Sequence, residues 1–149
     1  MAYVDLNKIR ASVEKPLDEL LGSEYPSTPV TWNNINFVPD SQTQWVQVEV
    51  VFGSSEYLSL GTVDSGVDRL FGIAVIDVFT PAGDGSVGAF ELATKVRDLY
   101  NRKIMDTLYF DAATGPQVMK PNIASAGTGG FFQTEVRVTF EYIAAPTPQ

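Results

Sequence analysis

From Asp68 the chain runs through Arg69-Leu70-Phe71-Gly72-Ile73-Ala74-Val75-Ile76-Asp77-Val78-Phe79, then Thr80-Pro81-Ala82, into Gly83-Asp84-Gly85-Ser86-Val87-Gly88 and a periodic stretch from about Ser86 to Ile104. Strand, tight glycine corner and helix are predicted in that order. Gly83, Gly85 and Gly88 spell G-x-G-x-x-G in the strand-to-helix context of a dinucleotide fingerprint, with Asp106 and Asp111 near where a ribose-binding acid would stand. A pyrophosphate, however, needs bare N–H groups and a positive helix end facing it. Asp84 places a negative side chain between the first two glycines, and no lysine follows to make a phosphate-binding loop. The segment reads as a corner, with Asp84 or Ser86 capping the helix.

Missing residue types narrow the chemistry further. The 149 residues fit one domain with a real core, and there is no Cys and no His. Thiolate catalysis and zinc–sulfur sites are excluded, as are the commonest general base and metal ligand. Asp40, Asp64, Asp68, Asp77 and Asp84 are scattered along strand ends and loops rather than paired, so no enzyme and no cofactor is expected. A formal net charge of −8 disfavours binding to nucleic acid through its phosphates. It suits a wall that DNA must pass without sticking, or simply a surface that stays in solution. The N-terminus has no basic region followed by an apolar run, and no apolar run is long enough to cross a bilayer. The expectation is a soluble protein made in the cytoplasm.

Along the chain, Leu6, Ile9, Val13, Leu17, Leu20 and Leu21 form one helical stripe with Asp5 placed to cap it. Pro16 is expected to kink or interrupt this helix, and Gly22 to end it. Strands follow from Val30 to Phe37 and from Gln44 to Phe52, then a long loop from Gly53 to Val67 that carries Tyr57, Leu58 and Leu60. Those three residues either fold back on the sheet or dock on a partner. After the second helix come a short strand at 107–111, a turn at Ala113-Thr114-Gly115-Pro116, and an edge-like segment from Gln117 to Ala124. A flexible glycine turn at 127–130 then leads to a final alternating strand from Phe131 to Ile143. This order predicts an α+β fold, a mainly antiparallel β-sheet with two helices packed on one face. The domain spans 1–143, and 144–149 form a flexible tail.

Several segments together resemble the tail terminator (tail-completion) proteins of long-tailed bacteriophages. They are Trp32-Asn33, Phe37-Val38-Pro39, Trp45-Val46-Gln47-Val48-Glu49-Val50, Ser59-Leu60-Gly61, the strand Ile73–Phe79 running into Thr80-Pro81-Ala82-Gly83, and Phe132–Tyr142. The resemblance implies a structural virion protein of the tail/neck region, assembled in the host cytoplasm. It implies a homo-hexameric ring that caps the end of the tail tube, stops elongation and forms the joint to the head. Its implied partners are the tail tube protein and a neck or head-completion protein, with genomic DNA passing through unbound and no membrane contact. A head–tail connector or a tail-tube subunit is the nearest alternative, and a nucleotide-binding module using Gly83–Gly88 a further one. The family has no catalytic residues to carry over. The expected contacts are Tyr57, Leu58 and Leu60 as apolar anchors of the long loop, together with Asp64, Asp68 and Phe131. The projecting ends of the strands at 68–79 and 131–143 are expected to be the ring-forming edges.

Overall fold

The computed structural model describes residues 5–33, 35–40, 42–57, 67–83, 85–105, 108–119 and 131–144, with Tyr57 and Ala144 described in backbone only. Two helices, α1 (Leu6–Glu24) and α2 (Val87–Tyr100), pack on one face of a seven-stranded sheet. Its strands are β1 (Val30–Thr31), β2 (Trp45–Tyr57), β3 (Asp68–Pro81), β4 (Ile104–Met105), β5 (Leu108–Phe110), β6 (Thr114–Val118) and β7 (Phe131–Ala144). The sheet order is β1-β2-β3-β7-β5-β4, with β6 also paired to β7. Every pairing is antiparallel except that of β1 with β2. The expected α+β architecture is therefore the observed one.

The helices form where the stripe predicts. Ile9, Val13, Leu17 and Leu21, spaced by four, are all at most 3% exposed, while Leu6 is left half exposed. Asp5 caps α1 by accepting from the backbone N–H of Asn7 (3.0 Å) and Lys8 (3.3 Å). Pro16 does not interrupt the helix. Its penalty of about 3 kcal/mol is outweighed by flanking Val13 and Leu17, each fully buried and each contributing roughly 1.5–3 kcal/mol. Nor does Gly22 end it: the helix runs on to Glu24, and Tyr25 closes it by donating its N–H to the Leu21 carbonyl at 2.8 Å. Burial of Leu21 draws the last turn onto the sheet. In α2 the buried set is Ala89, Leu92, Ala93, Val96 and Tyr100, and the Tyr100 hydroxyl donates to the Val13 carbonyl of α1.

Alternation sets the sheet faces. Val46, Val48 and Val50 of β2, Leu70, Ala74, Ile76 and Val78 of β3, and Val136, Val138 and Phe140 of β7 share one core with both helices. The opposite face has a smaller cluster at one end, where Trp45 stacks on Phe79 (4.0 Å, 6°) and meets Phe131 edge-on (5.8 Å, 83°), with Phe37 covering them.

Several boundaries differ from the sequence reading. β1 is only two residues, because Trp32 leaves the ladder and Asn33 takes its place: the Asn33 side chain accepts from the Val50 N–H and donates to the Val50 carbonyl, both at 3.1 Å. β2 runs five residues further than expected, to Tyr57, across an irregularity between Phe52 and Ser55. Pairing with β3 decides this, since Gly53-Ser54-Ser55 has no strand propensity of its own. α2 stops at Tyr100, not near Ile104, because Arg102 adopts a left-handed φ of 55° and residues 104–105 pair with β5. Thr114–Val118 is a strand on β7 rather than a turn, with Pro116 at the irregularity between Thr114 and Gln117 where a missing N–H is tolerated. The glycine turn at 127–130, most of the Gln117–Ala124 segment and the tail from 145 lie outside the described residues.

Candidate assembly surfaces

The glycine corner has the geometry of a turn. Gly83 and Gly85 carry φ of 93° and 80°, a region that favours glycine, and a Cβ at either meets nothing within 4 Å. Ser86 is the N-cap of α2, but its side chain makes no capping hydrogen bond; Asp84 lies outside the described residues. The strands flanking β3 are β2 and β7, both antiparallel to it, so the parallel βαβ unit of a dinucleotide fold is not built around this corner.

The residues expected to make contacts are placed as follows. Tyr57 ends β2, its backbone pairing with Asp68 at the start of β3. Asp68 is half-buried and also pairs with Ala144. Leu58, Leu60 and Asp64 lie outside the described residues. Phe131 is 2% exposed, its ring enclosed by Trp45 and Phe79. The structure thus brings Tyr57 and Asp68 together and sets Phe131 at the far end of β3.

β3 and β7 pair with each other from Asp68↔Ala144 to Pro81↔Phe131, and their outer sides are taken by β2 on one hand and by β5 and β6 on the other. Both are central strands. Among the described residues the two ends of the strand order are β1, with β2 beyond β1 and Asn33, and β4, while β6, paired only with β7, leaves a further edge off that order.

The two margins differ in chemistry. Along β2, Glu49, Val51 and Glu56 are exposed, and Val51 retains 44% of its surface. Glu56 is bound by Arg69 at 3.2 Å, and Arg69 is shared with Glu141 at 3.5 Å. At the opposite margin Ile104 is 68% and Tyr109 38% exposed, beside exposed Arg102 and Lys103. That corner is held by backbone bonds from Arg102 N–H to the Asp111 carbonyl (3.0 Å) and from Phe110 N–H to the Lys103 carbonyl (2.9 Å).

Between the margins, the face opposite the helices carries a carboxyl pair that sequence reading left unpaired. Asp77 and Glu135 face each other across β3 and β7. Glu135 is bound by Arg137, and Asp77 Oδ1 accepts from Gln133 Nε2 at 3.2 Å. Burial pushes the Asp77 carboxyl up to about 6, the Gln133 hydrogen bond opposing and the neighbouring Glu135 adding to it. Among the described residues no group of three or more acidic side chains is arranged to hold a metal ion. No helix among them is long and apolar enough to cross a membrane.

No curated protein matches the chain. One solved structure superposes with a TM-score of 0.64 at 19% identity, over 99% of this chain and 100% of that one, a likeness that shows the fold alone. A family described as phage tail terminator protein matches residues 8–140, from the first turns of α1 to Phe140 of β7. That span contains both helices and every strand, complete or nearly so, and it is a family of structural virion proteins of the tail rather than of enzymes. The chain belongs to the phage tail terminator protein family.

Proposed function

We propose that this protein caps the end of the phage tail tube as a hexameric ring, ends tube elongation and forms the joint to the head or neck. The observation that carries the reading is the family match, which spans the whole folded unit rather than a motif within it. The sheet supports it, because a closed ring needs two dissimilar surfaces on each subunit, and the β2 and β4 margins differ in charge and in apolar content. Six copies at −8 each bring −48 of formal charge. Any part of it facing the lumen repels the phosphates of passing DNA and keeps the genome from sticking.

The segment from Tyr57 to Asp68, with Leu58, Leu60 and Asp64, is the contact we assign to the tail tube. Phe131 takes part indirectly, by fixing the Trp45–Phe79 cluster at the other end of the sheet. The test is absolute mass by light scattering with negative-stain images, for the protein alone and after addition of purified tail tubes. Closed rings of uniform height, free or seated on tube ends, are the expected result. Long tubes formed by this chain alone refute the capping role, as does a monomer indifferent to tail tubes.

A further inference from the structure

The two margins of the sheet are complementary in charge, and each exposes apolar surface on the same face. Val51 and Glu49 point to the face opposite the helices, as their alternation with buried Val48 and Val50 requires. Tyr109 pairs with Glu141 and Ile104 with Tyr109, and Glu141 alternates with core Phe140, so these residues share that face.

The β2 margin carries the acids Glu49 and Glu56, with Asp68 of β3 beside its end at Tyr57. Arg69 of β3, divided between Glu56 and Glu141 of the central strand β7, is the cation beside them, and Arg137 of β7 feels the charge of Glu49. From Val51 onward β2 has no outer strand partner among the described residues, pairing there having ended at the Asn33 clamp on Val50.

The β4 margin is the reverse. Arg102 and Lys103 are exposed and make no ion pair among the described residues. The acids nearest to them are engaged: Asp98 with Arg97 at 3.6 Å, and Asp111 with the Thr139 hydroxyl at 2.7 Å. Asp106 lies outside the described residues. Arg102 also holds a left-handed φ of 55°, a conformation that glycine adopts without strain and arginine does not. Strain kept at a solvent-exposed side chain, where folding alone would favour glycine, points to a use for that side chain.

Resting on the ring reading above, we infer that neighbouring subunits join head to tail, the β2 margin of one copy (Glu49, Val51, Glu56) seated against the β4 margin of the next (Arg102, Lys103, Ile104, Tyr109). The partner is a second copy of this chain. The joint is heterologous, so each subunit keeps one acidic and one basic margin available, and the series closes when the rotation per step divides the circle. The cations at one margin answer the acids at the other, and Val51, Ile104 and Tyr109 supply the apolar contact. Because Val51, Ile104 and Tyr109 lie on one face, the open faces of successive sheets continue one another around the ring.

Charge reversal tests the joint, using the full chain under the conditions in which wild type assembles. One variant is Arg102→Glu/Lys103→Glu, leaving both margins acidic; the other is Glu49→Lys/Glu56→Lys, leaving both basic. Each alone should keep the wild-type melting profile and need at least tenfold more protein for half-assembly. Mixed in equal amounts they should alternate and restore closed rings, since six is even. A further variant, Arg102→Gly, should weaken assembly without loss of stability. If wild type forms rings and both reversed variants form them equally well alone, the joint is elsewhere and the inference fails while the ring reading stands. If the two variants fail alone and also fail when mixed, the margins are not each other's partner and the inference fails. If wild type forms no ring with or without tail tubes, the ring reading itself fails and takes this joint with it.

Discussion

Gly72 lies in the middle of the sheet, directly opposite Phe140 on β7, and its replacement by alanine tests how tightly the core is closed. A Cβ built on Gly72 comes within 2.6 Å of Phe140 Cε2 and 2.9 Å of Cε1, where ordinary contact begins at 3.4 Å. The ring must therefore retreat by about an ångström, in line with overpacking of the kind that costs about 1–3 kcal/mol. It has little room to do so. Phe140 is 1% exposed and is met edge-on by Phe52 at 6.4 Å and by Phe110 at 5.9 Å. The lower entropy of the unfolded alanine chain returns about 0.4–1 kcal/mol, leaving a net loss of about 1–2 kcal/mol. Urea unfolding followed by tryptophan fluorescence should show the midpoint lowered by roughly 0.5–1 M with an unchanged slope, and Tm lowered by about 2–8 °C. Phe140→Leu removes the ring atoms in conflict, so Gly72→Ala/Phe140→Leu should be at least about 1 kcal/mol more stable than the two single effects add to. A Gly72→Ala protein as stable as wild type, or strict additivity in that cycle, would refute the reasoning.

Other expectations follow from the same contacts. Asp77, raised from 3.8 to about 6 by burial, binds its proton more tightly in the folded state, so its contribution to stability is fullest below about pH 4 and is lost as pH rises through 6. Denaturation midpoints across pH 4–7 should show wild type weakening relative to Asp77→Asn as pH rises; parallel curves would show that the carboxyl is not perturbed. Arg102→Gly relieves the left-handed φ and should raise stability by about 0.5–1 kcal/mol, read as a higher Tm; a lower Tm would mean the arginine stem supports the corner. Leu58→Asp/Leu60→Asp should leave the circular dichroism melt unchanged and reduce capture on tail tubes at least tenfold. Unfolding of that variant would instead place the two leucines in the core.

Local pattern was enough for much of this fold. The spacing Ile9-Val13-Leu17-Leu21, the cap at Asp5 and the alternation of β2, β3 and β7 follow from periodicities of 3.6 and 2, which any folded form of the chain must respect. Charge, the absence of Cys and His, and the reading of Gly83–Gly88 as a corner were equally legible in the sequence. What pattern could not supply was which strand lies next to which. Alternation identifies a buried face but is blind to neighbours, so it did not show that β3 and β7 lie at the centre of the sheet. Element ends were decided the same way. β2 continues through Gly53-Ser54-Ser55 because β3 is there to pair with it, α2 stops at Tyr100 because β5 draws residues 104–105 into the sheet, and Pro16 is carried by the burial around it. The facing pair Asp77 and Glu135, 58 residues apart in the chain, exists only through the β3–β7 register. So do the acidic and basic margins, because a sheet edge is defined by the strand that is not beside it, and only the assembled tertiary structure determines that.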